Sequence, residues 1–381
     1  MRFPGFTDEW KQTGLSSYTK KITKKNKGNS ITNVLCNSAN LGIIPQSEYF
    51  DRDIANSDNT DGYYVIESGD FVYNPRKSVT APYGPVNMYT GIAPGIISPL
   101  YLCFTVNNIS KEFLLNWFKG SSWHKYVYSH GDTGVRYDRV SIKDDIFLNM
   151  PISVPSLAEQ EKISKLLTLI DERIATQNKI IEDLKKLKSA IIDKLYWEAT
   201  GEEYHYSELF TVVTERNTNL LYSKVIAASQ EYGMIERNYL NLKVQFDESS
   251  IHTYKIIHPG DYVIHLRSFQ GGYAFSRLIG ICSPAYVILR PHETVEYGYF
   301  EHYFTSTKFV NSLRLVTYGI RDGRSINVEE WLSMKVCLPS KKEQQQIIQT
   351  IKSFDDKLQN ETVIYTALLK QRSYLLGQLF M

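Results

Sequence analysis

The chain has 381 residues, of which 43% are hydrophobic and 22% charged, and its formal net charge is +2. This length allows two or three ordinary domains, and the composition is typical of a soluble globular protein. The near-neutral charge excludes a uniformly basic polyanion-binding protein, but basic residues can still be gathered on one face. The opening MRFPGFTDEW does not resemble a leader, and no apolar run approaches the ~18 residues of a membrane span. We therefore expect a cytoplasmic protein.

Metal and disulfide chemistry is not indicated by the sequence. The four cysteines lie far apart without a C-x-x-C pair, which argues against a disulfide framework and a zinc site. The nearest histidines, His124 and His130, lack a third ligand at a suitable spacing. We predict no metal site.

Residues 1–153 are predicted to form a first globular domain. Short runs of Tyr, Phe, Val and Ile alternate with Gly, Pro and Asn, a pattern typical of mixed β and α structure. YVIESGDFVYN is predicted to be a hairpin or a strand–turn–strand unit, and KEFLLNWFKGSSW a short amphipathic helix.

The segment KKITKKNK is a candidate for phosphate contact. It lies in a stretch, from Trp10 to Ser47, that has no acidic residue, so its lysines can neutralise several phosphates; an ordinary solvated surface is the alternative. Its lysines are Lys20, Lys21, Lys24, Lys25 and Lys27.

Residues 154–200 are predicted to form a long spacer helix. From Ile163 to Leu195, apolar residues alternate in steps of four and three, as in the seam of a coiled coil, with polar breaks at Gln177 and Lys188. A helix of about 40 residues spans about 60 Å. That is longer than a globular core requires.

The second half of the chain repeats this plan, with a globular domain at 201–337 and a spacer helix at 338–381. ITKKN, beginning at Ile22, aligns with VTERN at an offset of 191, as SGDFVY does with PGDYVI. At the later offset of 184, PSLAEQEKI aligns with PSKKEQQQI. YKIIHPGDYVIH is predicted to be a second hairpin or strand–turn–strand unit, and YFEHYFTSTKFVNSL a helical segment.

The polar breaks in the two seams predict the direction of the helices. The second seam has its breaks at Glu361 and Arg372. A parallel pair would place Lys188 against Arg372, whereas an antiparallel pair lets Lys188 meet Glu361 and Gln177 meet Arg372. We predict an antiparallel pair with these contacts. The alternative is that the four polar side chains simply point to solvent.

The two helix-heading segments, PSLAEQEKI and PSKKEQQQI, together with the opening RFPGFTDEW and the repeat, resemble the specificity subunit of type I restriction–modification systems. The resemblance covers essentially the whole chain. It implies an α+β fold: two mixed α/β target recognition domains are separated by two long helices that form an antiparallel coiled coil, related by an internal pseudo-two-fold repeat.

For function, the resemblance implies that each domain recognises one half of a split DNA sequence. The helices would set the distance between the halves and dock two methyltransferase subunits, and restriction subunits would complete the complex. The chain itself would be non-catalytic and hold no cofactor. S-adenosylmethionine, ATP and Mg²⁺ would belong to the partner subunits.

Several arginines are candidates for DNA contact. GVRYDR and GIRDGR occupy equivalent positions, and arginine can pair bidentately with guanine or phosphate where glycines let the backbone approach. Neighbouring aspartates offer these arginines local ion pairs instead. NPRK and HLRS follow the repeated G-D turns and provide further candidates, unless they only cap strands. These candidates are Arg136, Arg139, Arg321, Arg324, Arg76, Lys77 and Arg267.

Enzymatic functions are not favoured. A methyltransferase would need a glycine-rich cofactor loop and an N-P-P-[YF] or D-P-P-[YF] segment, but YTGIAPG has a different glycine spacing and NPRK lacks the second proline and the aromatic residue. A P-D…D/E-x-K nuclease group is not found. The remaining alternative is a non-catalytic coiled-coil tether that joins two protein-binding domains.

The helix face with Glu182, Lys185 and Lys186 is either a docking site for methyltransferase helices or a solvated face.

Overall fold

The protein is described by a computed structural model, which covers residues 2–49, 60–131, 138–229, 232–239, 248–265, 272–313, 317–318 and 325–380. Short strands and helices fill the first part of the chain, and one long helix follows them. These elements are β1 (Lys11–Gly14), β2 (Thr19–Lys21), β3 (Val34–Ser38), β4 (Gly42–Pro45), α1 (Gln46–Tyr49), β5 (Tyr64–Ile66), β6 (Phe71–Tyr73), β7 (Val86–Met88), β8 (Gly95–Ile97), β9 (Leu102–Val106), α2 (Lys111–Lys119), α3 (His124–His130), α4 (Asp144–Leu148), β10 (Pro151–Val154) and α5 (Leu157–Glu198).

The same succession follows α5, and it ends in a second long helix. The elements are β11 (Glu202–His205), α6 (Tyr206–Leu209), β12 (Phe210–Val213), β13 (Ile226–Ser229), β14 (Gly233–Glu236), β15 (Lys255–Ile257), β16 (Tyr262–His265), β17 (Tyr273–Phe275), β18 (Gly280–Cys282), β19 (Tyr286–Pro291), α7 (Tyr299–Tyr303), α8 (Thr307–Ser312), β20 (Thr317–Tyr318), β21 (Ser325–Ile326), α9 (Val328–Ser333), β22 (Lys335–Leu338) and α10 (Lys341–Leu379). Among the described residues, no helix combines the length with the hydropathy that a membrane crossing requires.

The chain divides into two compact units. The first unit consists of residues 1–178 and 364–381, and the second of residues 179–363. Each unit therefore contains one globular part together with a stretch of α5 and a stretch of α10. The predicted combination of mixed α/β domains and long helices is confirmed.

The first unit contains two four-stranded sheets and a strand pair. One sheet has the order β2-β9-β6-β7, the other has the order β4-β3-β8-β5, and β1 pairs with β10. The strands on either side of the SGD turn, β5 and β6, belong to different sheets, so this segment is a strand–turn–strand unit and not a hairpin. Aromatic side chains fill the core beneath α2, and the end of α10 adds to it, since Phe380 lies 5.4 Å from Phe113 between ring centroids.

The second unit follows the same plan. Its main sheet has the order β12-β19-β16-β17, with separate pairs β13-β14, β15-β18, β11-β22 and β20-β21. Again β15 and β16 leave the G-D turn for different sheets. The core is aromatic, and Tyr206 stacks on the fully buried Trp331 with ring centroids 4.2 Å apart.

The repeated G-D turn has the same geometry in both units. Gly69 and Gly260 adopt positive φ angles of 89° and 96°, which glycine accommodates without steric cost. Each following aspartate accepts a hydrogen bond from the backbone N–H three residues before it, at 2.7 Å for Asp70 and 2.9 Å for Asp261. The motif is therefore duplicated because it builds the turn between two sheets.

The long helices α5 and α10 pack antiparallel, as predicted. In the first unit, Asp171 near the start of α5 accepts hydrogen bonds from Arg372 near the end of α10. In the second unit, Lys188 near the end of α5 pairs with Asp355 near the start of α10. Only opposite chain directions place these residues together.

The predicted partners within the helix pair were wrong. Lys188 pairs with Asp355, six positions before the expected Glu361, and Arg372 pairs with Asp171, six positions before the expected Gln177. The solvent alternative is wrong as well, because Gln177 and Glu361 are each only 8% exposed. Burial of the apolar seam sets the register, and the long basic side chains then reach carboxylates at its edge.

Candidate nucleic-acid interface

The loop that carries KKITKKNK, residues 20–27, is fixed by a buried asparagine. We call these residues the lysine segment. Asn26 is 1% exposed, and its side chain accepts a hydrogen bond from the Ile31 N–H at 3.0 Å and donates one to the Ile31 carbonyl at 2.9 Å. Asn217 in the second unit makes the same pair of bonds to Tyr222, at 3.1 and 2.7 Å. This loop anchor was not predicted, although the aligned asparagines of ITKKN and VTERN are its signal in the sequence.

The lysines of this segment project into solvent while Ile22 faces the core. The Nζ atom of Lys21 lies 2.6 Å from Asp144, and this hydrogen bond raises the pKa of Lys21. Lys24 lies 3.6 Å from Glu67, with both side chains more than 60% exposed, so this pair contributes little stability. Lys20, Lys25 and Lys27 are exposed as well.

The second unit keeps the asparagine but not the lysines. Both loops have the same buried anchor, yet their exposed side chains differ in charge and hydrogen-bonding character. At the offset of 191, the positions of Lys24, Lys25 and Lys27 are taken by Glu215, Arg216 and Thr218.

The NPRK loop is also fixed from within. Asn74 is 9% exposed; its Nδ2 donates to the Asn37 carbonyl at 3.1 Å, and its Oδ1 accepts from the Arg76 N–H at 3.0 Å. Asn37 in turn donates to the Val72 carbonyl at 2.7 Å, between the two sheets of the first unit. The backbone that carries Arg76 and Lys77 therefore has a defined position on the sheets.

Two of the predicted basic segments meet in the first unit. Arg76 forms an antiparallel bridge with Arg139, and the Lys77 N–H donates to the Asp138 carbonyl at 2.8 Å. The Arg76 Nε lies 3.9 Å from the Asp138 carboxylate, with both side chains more than half exposed. Within the part of the chain that the structure describes, Arg139 Nε is a buried donor without a hydrogen-bond partner. We call Arg76, Lys77 and Arg139 the arginine strip.

Tyr101 lies within electrostatic reach of this strip. Burial raises the pKa of Tyr101, while Arg139 and Arg76 act in the opposite direction. Tyr63, which also acts on Tyr101, accepts a backbone hydrogen bond from the Asn26 N–H at 2.9 Å. The backbone of the lysine segment thus lies beside Tyr63 in the first unit.

Four of the predicted DNA-binding residues lie outside the described residues. They are Arg136, Arg267, Arg321 and Arg324. Their role stays a prediction. Among the residues that the structure describes, no group of three or more His, Cys, Asp or Glu side chains is placed to hold a metal ion.

The glutamine of each helix-heading motif ties a long helix to its globular part. Gln160 is 2% exposed, accepts from the Ser110 N–H at 2.8 Å and donates to the Pro155 carbonyl at 2.8 Å. Gln344 repeats this arrangement in the second unit, accepting from the Glu296 N–H at 2.8 Å. The motif is duplicated because each helix needs the same anchor to the loop before α2 or α7.

Comparison with known proteins relates the chain to type I restriction–modification systems. The family profile described as the type I restriction modification DNA specificity domain matches residues 14–186. The specificity subunit of the type I restriction enzyme MjaVIII, from Methanocaldococcus jannaschii, is 24% identical over 305 residues, which is 69% of this chain. Residues 14–186 thus match a type I restriction modification DNA specificity domain, and the chain is similar to type I specificity subunits.

The extent of these matches differs between relatives. The aligned region spans 65% of the MjaVIII subunit, so the match does not extend over that whole protein. The putative MjaX specificity subunit of the same organism is 26% identical over 151 residues, covering 38% of this chain and 34% of the relative.

Solved structures from type I restriction–modification systems share the fold over nearly the whole chain. A chain from a study of the assembly and conformational transition of a type I system gives a TM-score of 0.62 at 13% identity, covering 98% of both chains. The HsdS subunit from Thermoanaerobacter tengcongensis gives 0.53 at 14% identity, covering 100% of this chain and 98% of its own. The corresponding subunit from M. genitalium gives 0.51 at 14% identity, covering 100% and 97%.

Proposed function

We propose that this specificity subunit recognises a bipartite, asymmetric DNA sequence, with one half-site assigned to the globular part of each unit. The proposal rests on the observation that the two units share the same asparagine-anchored loop but expose different side chains on it. Asn26 and Asn217 fix equivalent loops, but Glu215, Arg216 and Thr218 stand in the second unit where the first has Lys24, Lys25 and Lys27. Two equal scaffolds with unequal surfaces are suited to two different half-sequences.

Within the first unit, the lysine segment and the arginine strip have separate roles. Exposed lysines neutralise phosphates, release counterions and position the protein, without distinguishing bases. Arg76 and Arg139 present guanidinium groups that can pair with guanine edges in the major groove. The strip is therefore the proposed source of sequence discrimination.

The subunit acts without catalysis of its own. It holds no cofactor in this proposal, and two modification subunits use S-adenosylmethionine to methylate adenine. Restriction subunits with ATP and Mg²⁺ carry out translocation and cleavage. Exposed faces of the helix pair, including the one with Glu182 and Lys185, are proposed to dock the modification subunits, and the length of the pair is proposed to set the gap between half-sites.

Methylation profiling tests this proposal directly. The chain is expressed with its presumed modification partner in cells that lack other adenine methylation, and genomic DNA is profiled with and without the chain. A new split motif with methyladenine in both halves is expected. Assembly of the complex without new methylation would contradict the proposal and favour a protein-binding tether.

Matched variants assign the half-sites. Arg76→Ala combined with Arg139→Ala is expected to relax or abolish recognition of one half-site and to leave the base preference of the other unchanged. Lys125→Gln, an exposed change on α3 of the same unit, serves as the control and is expected to preserve both halves.

A further inference from the structure

The first residues of the chain cover the start of α5 in the first unit. Arg2 makes a bidentate contact with Glu159, with Nε 3.1 Å from Oε1 and Nη2 2.9 Å from Oε2. Glu159 is only 1% exposed. Phe3 packs against the core, and the Lys162 ammonium lies 4.9 Å from the centroid of the Phe6 ring. Residues 2–6, with the sequence RFPGF, thus contact the first turns of α5 through the Arg2 guanidinium and the Phe6 ring, while Phe3 anchors the segment to the core.

The equivalent helix start in the second unit has a different environment. At the offset of 184, Glu159 corresponds to Glu343 at the start of α10. There the chain enters β11 directly from the end of α5, through residues 199–201, so the repeat supplies no counterpart of RFPGF. Glu343 instead accepts hydrogen bonds from the Ser340 N–H at 3.0 Å and the Ser340 hydroxyl at 2.7 Å, and it is exposed.

A groove of about 780 Å³ lies beside Glu343, entirely within the second unit. The last turn of α5 and the first turns of α10 form its walls, with Leu195 and Ile347 as apolar surface and Glu198 and Glu343 as charges. None of the described residues that line it is basic. The groove therefore combines apolar surface with negative charge, and its Glu343 is the equivalent of the Glu159 carboxylate that α5 offers to Arg2.

We propose that this groove binds an extended segment of a partner protein in which an arginine is followed by an aromatic residue. The arginine would pair with Glu343 as Arg2 pairs with Glu159, since a guanidinium fits a carboxylate bidentately. The aromatic ring would cover Leu195 and Ile347. The inference rests on the duplicated helix starts and not on DNA recognition, so it can fail independently of the proposed function.

The probe is a labelled synthetic peptide with the sequence of residues 1–9, MRFPGFTDE, titrated against the full chain by fluorescence anisotropy. We expect saturable binding that weakens at least tenfold when the arginine of the peptide is replaced by alanine. Glu343→Gln in the chain is expected to weaken binding at least fivefold, and Thr350→Trp, which fills the groove, to abolish it. Gln345→Trp, on an exposed face outside the groove lining, is the matched control and should leave binding unchanged.

Three results would overturn the proposal. The first is no binding of the peptide to the unmodified chain. The second is binding lost in Glu159→Gln but retained in Glu343→Gln, since the peptide would then have displaced the chain's own first residues. The third is concentration-dependent dimerisation that Glu343→Gln abolishes, because a second copy of this chain would then occupy the groove in place of a partner.

Discussion

Arg290 holds the carboxylate of Asp261 in the second unit through two hydrogen bonds, Nε to Oδ1 at 2.8 Å and Nη2 to Oδ2 at 2.9 Å. Asp261 is 1% exposed, and the same carboxylate closes the G-D turn. Asp70 closes the equivalent turn of the first unit, where burial raises its pKa. Asp261 is thus ion-paired with Arg290 in the second unit, whereas in the first unit burial disfavours the ionised form of the equivalent Asp70.

Replacing Asp261 by Asn should destabilise the second unit by about 2 kcal/mol, because charge-assisted hydrogen bonds to Arg290 are lost from a buried site. Hydrogen–deuterium exchange of β16 and β19 should accelerate roughly 30-fold if it follows opening of this sheet. Asp70→Asn is the matched control and should change exchange in β6 much less. Equal effects of the two changes would show that the ion pair contributes nothing beyond the turn.

The helix register can be tested by a double-mutant cycle. Lys188→Ala and Asp355→Ala should be coupled by about 1 kcal/mol in the free energy of unfolding, because the two side chains pair across the helices with Lys188 largely buried. The cycle between Lys188→Ala and Glu361→Ala should give a coupling near zero. A larger coupling to Glu361 than to Asp355, measured by urea titration, would restore the register predicted from the sequence.

His302 should make the second unit sensitive to acid. Burial and the neighbouring Lys188 lower the pKa of His302, although its Nε2 lies 3.7 Å from the Asp355 carboxylate. The pKa of His302 in the folded state therefore lies below its unfolded value of about 6.5, so folding favours the neutral imidazole. The free energy of unfolding is unaffected by His302 above pH ~6.5 and decreases as the pH falls below that value.

The variant His302→Gln should therefore lose less stability than the original chain between pH 7 and pH 5. Exchange rates of α7, corrected for the intrinsic pH dependence, provide the measurement. His124→Gln changes a histidine of the first unit and should leave the α7 profile unaltered. Parallel profiles for His302→Gln and the original chain would contradict the assignment.

The exposed lysines should determine the salt dependence of DNA binding. Lys25→Gln combined with Lys27→Gln should weaken binding and reduce the slope of log K against log salt by about 0.9 for each lost phosphate contact. Lys125→Gln combined with Lys143→Gln removes the same charge from exposed positions elsewhere in the first unit. Titrations at several salt concentrations should show an unchanged slope for this control, and equal slopes for both pairs would remove the lysine segment from the interface.

Lengthening the spacer should alter the gap between half-sites. A seven-residue insertion after Ser189 preserves the heptad and adds about 10 Å of helix, the length of roughly three base pairs. Methylation profiling should then report a different number of unspecified base pairs with both half-sequences unchanged. An unaltered gap in an assembled, active complex would rule out the helix pair as the ruler.

The sequence predicted features that depend on periodicity and repetition. The seam from Ile163 to Leu195 predicted a long helix, and the positions of Lys188 and Arg372 predicted its antiparallel partner. Two copies of the G-D motif also predicted equivalent turns. These inferences hold because side chains that recur every three or four residues share a helix face wherever the helix lies.

The choice between chemically similar partners needed the structure. Asp171 and Asp355 are equivalent residues of the repeat, yet the pattern favoured Gln177 and Glu361 because those positions interrupt the seam. Pairing depends on how far long basic side chains reach across packed helices, and sequence spacing does not contain that distance.

Contacts between residues far apart in the chain also needed the structure, whereas the repeat and the long helices did not. The sequence determined by itself that the chain consists of two related halves with long helices, and it identified the exposed lysines of KKITKKNK. Only the tertiary structure decided that NPRK lies beside Asp138 and Arg139, that β5 and β6 join different sheets, and that Arg2 reaches Glu159. Those contacts arise from packing between segments tens to more than a hundred residues apart, where local pattern carries no information about which surfaces meet.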